Sequence, residues 1–367
     1  MKITSLKTNH LVLPMGARHE PLTLTWITES GRKDYQAAAR VELARDADFS
    51  ALTHNSGWRE DISSLGYQPP VALTARTRYY WRVFVRSVLG EEAESETAWF
   101  ETGKMDEPWE ARWIKAPYGE SVHPVIFREF QVDGEVASAR LYATGLGLYE
   151  GSLNGEPIGD EVLMPFYNEY DHWQQAQVFD VTGLIKKGAN RLSFILGEGW
   201  YMGRFGFLKD MRNLYGSELK VLAELRVRFA GGGEMVLGSD ESWRCRRSPV
   251  VDSSIYNGET YDARLEDTAG APDRAVFASP AKGRLMDRLS PPLRVCRFVA
   301  PRELIHTPAG ETVIDFGQVL TGWVFFSVSL PGGAAVTLDH GELLQNGNFY
   351  NDNLRSAKQR FTYISKG

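Results

Sequence analysis

Apolar and polar residues alternate along much of the chain, and this period of two is its dominant pattern. In Lys220-Val-Leu-Ala-Glu-Leu-Arg-Val-Arg-Phe229 one face collects Val221, Ala223, Leu225, Val227 and Phe229, while the other carries Glu224, Arg226 and Arg228. That spacing predicts a half-buried strand. It runs into Ala230-Gly-Gly-Gly-Glu234 and returns through Met235-Val-Leu237, which reads as a hairpin because glycine supplies the positive φ a tight connection needs. A second hairpin is written in Trp323-Val-Phe-Phe-Ser-Val-Ser-Leu330, Pro331-Gly-Gly333 and Ala335-Val-Thr-Leu-Asp-His340. A third strand pair is expected at Arg78-Tyr-Tyr-Trp-Arg-Val-Phe-Val-Arg86 and Thr97-Ala-Trp-Phe-Glu101. Helical signal is thin: Thr182-Gly-Leu-Ile-Lys-Lys-Gly188 predicts one or two turns, with Thr182 as cap, lysines in the last turn and a terminating glycine.

Strand signals at intervals of about 8 to 12 residues, with turn residues between them, predict an all-β chain of tandem β-sandwich modules. No stretch shows the alternation of strand and long helix that a doubly wound fold requires. Polar connectors place the boundaries. One lies near Thr102-Gly-Lys-Met-Asp-Glu-Pro-Trp109, and another in Asp267-Thr-Ala-Gly-Ala-Pro-Asp273 or the proline-rich stretch from Ser290-Pro-Pro292 to Pro301.

Composition narrows the function classes. The 367 residues carry 41 Lys+Arg against 47 Asp+Glu, a formal net charge of -6, which argues against a large nucleic-acid footprint. No window approaches the roughly 18 consecutive apolar residues of a membrane span. The first residues lack an apolar run long enough for a signal-peptide core before Pro14 and Gly16 interrupt it, so a cytoplasmic location is expected, with no membrane partner. Cys245 and Cys296 are read as packing thiols of such a protein rather than a disulfide. No cysteine pair stands at metal-ligand spacing and the seven histidines are scattered, so a zinc site is not expected.

Two glycine clusters, Gly145-Leu-Gly147-Leu-Tyr-Glu-Gly151 and Gly197-Glu-Gly199-Trp-Tyr-Met-Gly203, fail the dinucleotide fingerprint. Each has three residues between its second and third glycines, and neither opens a credible helix. The unusual number is aromatic: 10 Trp, 15 Tyr and 18 Phe. Some of these rings stand beside amides and carboxylates in glycine-rich segments, as in Asn154-Gly-Glu-Pro-Ile-Gly-Asp160, Pro165-Phe-Tyr-Asn-Glu-Tyr-Asp-His-Trp173, Gly197-Glu-Gly-Trp-Tyr201 and Tyr256-Asn-Gly-Glu-Thr-Tyr-Asp262. Planar polar groups for hydroxyls and rings for C–H faces are what a sugar site needs, and oxygen ligands of the same kinds hold calcium. The plainer reading is equally available: Asn154-Gly155 as a hairpin turn and the tryptophans as core. No catalytic constellation is visible, because 47 acidic residues offer too many pairs for spacing to select two, and no Gly-x-Ser-x-Gly elbow occurs.

Taken in order, Leu141-Tyr-Ala-Thr-Gly-Leu-Gly-Leu-Tyr-Glu150, Leu153-Asn-Gly155, Asp180-Val-Thr182, Gly197-Glu-Gly-Trp-Tyr-Met-Gly203 and Ile255-Tyr-Asn-Gly-Glu-Thr-Tyr-Asp-Ala-Arg264 resemble the N-terminal accessory region of bacterial alpha-L-rhamnosidases, glycoside hydrolase family 78. Asp315-Phe-Gly-Gln318, Gly322-Trp323, His340-Gly-Glu342 and Asn353-Leu-Arg-Ser-Ala357 are similar to the following sandwich of that family, and Tyr79-Tyr-Trp-Arg-Val83 with Trp99-Phe-Glu-Thr-Gly103 to its leading module. One local departure is Arg360-Phe-Thr-Tyr363, where the family usually has an acidic residue before Thr-Tyr.

The resemblance implies a fibronectin-III-like sandwich at residues 1–104, a galactose-binding-like jelly roll at 105–300, and the start of a truncated third sandwich at 301–367. It also implies an N-terminal fragment whose inverting catalytic unit, an (α/α)6 barrel, is missing. Asn154, Asp160, Trp200, Glu259 and Asp262 fall in its matching motifs, and Trp173 joins Trp200 as a candidate for stacking on sugar. No cofactor is required, though some relatives bind rhamnose with calcium in the second module. The partners implied are L-rhamnose-containing glycosides and the absent barrel. The open edge of the third sandwich leaves room for a homodimer. The alternative is a free-standing carbohydrate-binding or adhesion protein without catalysis. Trp81, Trp99 and Trp323 are assigned to sandwich cores.

Overall fold

In the computed structural model, which describes residues 1–31, 33–204, 211–266 and 271–367, strands dominate and the only α-helix among the described residues is the four-residue Gly199–Met202. The chain divides into two units. The first comprises Met1–Trp109 with Gln175–Phe179 and Leu285–Pro291; the second comprises Glu110–Gln174, Asp180–Arg284 and Pro292–Gly367. The architecture is tandem β-sandwich modules, as the alternation predicts. No helix is long and apolar enough to cross a membrane among the described residues, which leaves membrane β-barrels untouched.

In the first unit, strands Met15–Ala17, Ala98–Thr102, Arg78–Ser87, Gln36–Ala44 and Leu52–Asn55 lie side by side in that order, and Lys2–Thr8 pairs separately with Leu24–Glu29. The expected pairing of Arg78–Ser87 with Ala98–Thr102 is antiparallel, Tyr79 facing Phe100 and Trp81 facing Ala98. Tyr79, Trp81, Val83 and Val85 take the inward positions of their strand and are fully buried with Leu24, Val41 and Leu43. Each such side chain contributes roughly 1.5–3 kcal/mol by leaving water. The Trp81 indole N–H, which a dry core would leave unpaired, donates to Thr8 Oγ1 at 3.1 Å. Trp99 points the other way and is half-buried beneath the Arg78 guanidinium, 4.1 Å above its ring.

In the second unit one sheet runs Glu156–Pro157, Leu148–Leu153, Gly188–Gly197, Pro124–Val132, Arg244–Arg247, Asp273–Arg274. The other contains Val276–Phe277, Ile114–Lys115, Lys220–Phe229 and Val136–Leu146, with Glu234–Gly238 returning along Lys220–Phe229 as the predicted hairpin. Leu192, Phe194 and Leu196 alternate into the core, where Phe194 stacks on Trp243 with centroids 6.1 Å apart. Val221, Ala223, Leu225 and Val227 form the inward face that the period of two marks out.

Four features depart from the sequence expectations. The opposite face of Lys220–Phe229 is covered as well: Glu224 is fully buried, accepts the Glu110 N–H at 2.5 Å and pairs with Arg226 at 2.7 Å. Arg226 also holds Glu110 and Glu234, so this network rather than solvent satisfies the polar side of the strand. Thr182 does not cap a helix of one or two turns. Its hydroxyl is engaged with Asp180 and the Ala139 N–H, and only a 3-10 turn, Thr182–Leu184, forms. Residues 323–330 form no strand. Ala335–Asp339 pairs with Arg360–Ile364 instead, a register reinforced by two Arg360–Asp339 hydrogen bonds of 2.7 and 2.9 Å. Trp323 is consequently 55% exposed rather than core.

Arg360–Ile364 also pairs, in parallel, with Gly258–Asp262, so segments on either side of residue 300 share one four-stranded sheet. The pairing needs a glycine at its start: Gly258 has φ +95°, and a Cβ there would lie 2.0 Å from the Arg360 carbonyl oxygen. Beyond this sheet the C-terminal part leaves Phe298, Val319, Phe325 and Trp323 open to solvent. Both cysteines are free, Cys245 buried and Cys296 exposed.

Candidate functional site

An aromatic wall forms where the loop after Leu148–Leu153 meets the short helix Gly199–Met202. Tyr149 donates its N–H to the Met164 carbonyl at 2.7 Å, which fixes the start of the segment carrying Phe166, Tyr167 and Tyr170. Gly199 has φ +55°, and a Cβ there would come within 2.5 Å of Leu148 Cγ. Only glycine lets the helix approach that strand closely enough to set Trp200 edge-to-face against Tyr167, with centroids 6.2 Å apart at 88°. The Tyr167 and Tyr215 hydroxyls share a 2.8 Å hydrogen bond, and Tyr170 packs against Tyr201 and Tyr215 with centroids 5.1 and 5.0 Å away. Burial pushes the Tyr170 and Tyr215 phenols well above their ordinary value, so both stay neutral. Tyr167 remains exposed, which leaves an aromatic ring with phenol hydroxyls beside it at the surface.

Next to this wall Glu198 is buried, and burial raises its carboxyl above the usual carboxylate range although Arg212 holds Oε1 at 2.5 Å. His123, also buried, and Asp252, exposed, approach it: one ligand atom of each lies within 4.8 Å of the others. This is the one such cluster of metal-capable side chains among the described residues.

Of the six residues singled out by sequence, Glu259 and Asp262 share the strand Gly258–Asp262 and the other four lie elsewhere in the chain. Asn154, at φ +57° in the turn between Leu148–Leu153 and Glu156–Pro157, donates to the Leu184 carbonyl and to Asn190 Oδ1 and accepts from the Arg191 N–H, each at 2.9 Å. Asp160 forms an exposed ion pair with Arg294 at 2.8 Å. Asp262 caps the turn Ala263–Leu265 and is bound by Arg264, whose hydrogen bond lowers its pKa. Glu259 is half-buried, its carboxyl raised by burial and then by the neighbouring Glu150. Trp173 is half-buried at the start of Trp173–Asp180, and Trp200 belongs to the aromatic wall. Among the described residues no hydrogen bond, ion pair or ring contact joins any two of the six.

Sequence alone does not single out Tyr167, His123, Glu198, Arg212 and Asp252 as individual residues. Tyr167 and Glu198 stand inside the aromatic segments that composition marks, so a local signal points at them. His123 and Asp252 carry no local signal, because strand pairing alone brings them to Glu198.

Three family models match the chain in order: the Rha78A-like, N-terminal immunoglobulin domain at residues 3–106, the alpha-L-rhamnosidase N-terminal domain at 134–295, and the bacterial alpha-L-rhamnosidase concanavalin-like domain at 305–367. An alpha-L-rhamnosidase of Streptomyces avermitilis is 34% identical over 295 residues, covering 75% of this chain and 28% of the relative. One from Formosa agariphila is 30% identical over 403 residues, covering 96% and 42%. The crystal structure of native rhamnosidase from Aspergillus terreus superposes on the whole chain with a TM-score of 0.90 at 28% identity, and that from Dictyoglomus thermophilum with 0.85 at 27%; in each, the chain covers 44% of the other protein. The chain thus spans less than half the length of these relatives. With three models in the family's own order and relatives matched from end to end of the chain, the protein belongs to the alpha-L-rhamnosidase family, glycoside hydrolase family 78, and carries its N-terminal β-sandwich region.

Proposed function

We propose that this chain is the N-terminal accessory part of an enzyme that removes terminal α-L-rhamnose from glycosides or polysaccharides with inversion. The chemistry is assigned to an (α/α)6 barrel beyond these residues, where a general acid and a water-activating base would stand about 6.5–9.5 Å apart. The observation that carries this reading is the ordered match of all three modules to rhamnosidase models. The exposed Val319, Trp323 and Phe325 support it, since apolar surface of this kind is ordinarily covered by further strands or a neighbouring domain. The 367-residue chain is expected to leave an aryl α-L-rhamnoside unhydrolysed, and the gene is expected to continue in frame for several hundred codons past Gly367. Turnover by the chain alone at the rate of an intact enzyme would overturn the division of labour. An in-frame stop after Gly367 would favour a free-standing carbohydrate-binding protein.

Sugar binding by the second module is favoured by the exposed Tyr167 ring held against Trp200. A small open site buries little surface, so affinity for L-rhamnose is expected at about the millimolar level, with calcium assisting through oxygen ligands. Calorimetric titration with L-rhamnose that gives no heat either with calcium or with EDTA removes this reading.

A further inference from the structure

We propose that His123, Glu198 and Asp252 form a binding site for one divalent transition-metal ion of the zinc and manganese type. The ligands come from three parts of the second unit. His123 directly precedes Pro124–Val132, Glu198 follows Gly188–Gly197, and Asp252 lies in Val250–Ser254. Antiparallel pairing of the first two strands, with Val125 opposite Ile195, brings His123 to Glu198. The Ser248 N–H donates to the His123 carbonyl at 2.9 Å and draws in the strand that carries Asp252.

Two buried polar atoms face this spot without a hydrogen-bond partner, His123 Nδ1 and Glu198 Oε2. Both side chains are nine-tenths buried or more, His123 at 2% exposure and Glu198 at 3%. Leaving a ring nitrogen and a carboxylate oxygen dry and unpaired is unfavourable, and a cation between them satisfies both at once. The other carboxylate oxygen, Oε1, is already held by Arg212. Of the two ring nitrogens it is Nδ1 that lacks a partner, which leaves it available to a metal ion.

The remaining distance is small. Two ligands each about 2.1 Å from a common ion stand at most about 4.2 Å apart, against the observed limit of 4.8 Å. Exposed Asp252 is free to close the difference by changing rotamer. Two carboxylates against one guanidinium leave the neighbourhood net negative, which suits a dication. One nitrogen with two carboxylates suits zinc or manganese, whereas calcium takes six to eight oxygens. The site is invisible in the sequence because its three ligands are far apart along the chain, at spacings no motif describes.

The test is zinc binding to the whole chain after removal of metal with a chelator. Titration calorimetry at pH 7 should give one saturable site, weakened at least tenfold in Asp252→Asn, with calcium failing to compete. Cobalt(II), used as a visible reporter, should give a d–d absorption band that the same variant loses. Asp252 is exposed, so Asp252→Asn should keep the fold, checked by circular dichroism, and it decides the matter if His123→Gln fails to fold. Absence of saturable zinc binding, or unchanged affinity and cobalt spectrum in folded Asp252→Asn, overturns the proposal.

Discussion

Asp287 offers a sharp test of how the first unit is held together. Its two carboxylate oxygens accept the backbone N–H groups of Lys104 and Met105 at 2.9 and 2.8 Å. Burial nevertheless dominates and, against those two bonds, pushes the carboxyl from 3.8 up to about 6. A carboxyl raised in this way holds its proton more tightly in the folded chain than in the unfolded one. Its contribution to stability is therefore present at low pH and is lost as the pH rises from about 4 to about 6. At about 1.4 kcal/mol per pH unit the displacement corresponds to at most about 3 kcal/mol. The side chain is not fully sealed, so about 1.5 kcal/mol is the expected size. Asp287→Asn cannot ionise. Its direct cost, from accepting one N–H less well, is the same at every pH and cancels when unfolding free energies by urea are compared at pH 4 and pH 6.5. Wild type should lose about 1.5 kcal/mol more than the variant between these two values. A difference below about 0.5 kcal/mol, or one of opposite sign, would refute the assignment of burial as the dominant influence on Asp287.

Removing Arg226 would leave the fully buried Glu224 carboxylate without its cationic partner. Arg226→Ala should then cost about 3 kcal/mol in calorimetric unfolding of the second unit, and a loss below about 1 kcal/mol would mean that backbone contacts alone satisfy Glu224. The two cysteines should separate cleanly under a thiol reagent at pH 8. Cys296 is exposed, while burial pushes the Cys245 thiol up to about 11, so one thiol should react in the native chain and the second only after unfolding.

Much of the fold could be read from the chain because a period of two marks which side of a strand faces inward. Tyr79, Trp81, Val83 and Val85, and likewise Val221 to Val227, are buried as that period requires. The period could not show what covers the outer face. Glu224 and Arg226 read as solvent-facing until Glu110 and Glu234 are seen to complete their network. Residues 323–330 alternate as a strand should, but pairing depends on which partner is available, and Ala335–Asp339 joins Arg360–Ile364 instead. Asn154 was legible as a turn residue by its Asn-Gly step and as a sugar ligand by its amide, and its hydrogen bonds serve the turn. Polar groups at loop ends look alike in sequence whether they hold the backbone or await a ligand. Trp200 was recognisable because its aromatic and acidic neighbours are also its sequence neighbours. His123 and Asp252 were not, since they reach Glu198 only through strand pairing.

The parallel pairing of Gly258–Asp262 with Arg360–Ile364 also sets a timetable for synthesis. Roughly 100 residues must leave the ribosome after the first strand before its partner exists, and closing so long a loop is slow compared with forming a hairpin. Until then the hairpin Val250–Ser254 with Gly258–Asp262 presents an unpaired edge to whatever else is in the cell. The nascent second unit therefore passes through a window in which it is open to mispairing with other chains, and ribosome-bound intermediates ending before residue 360 should be more prone to aggregation than those in which Arg360–Ile364 has emerged and paired.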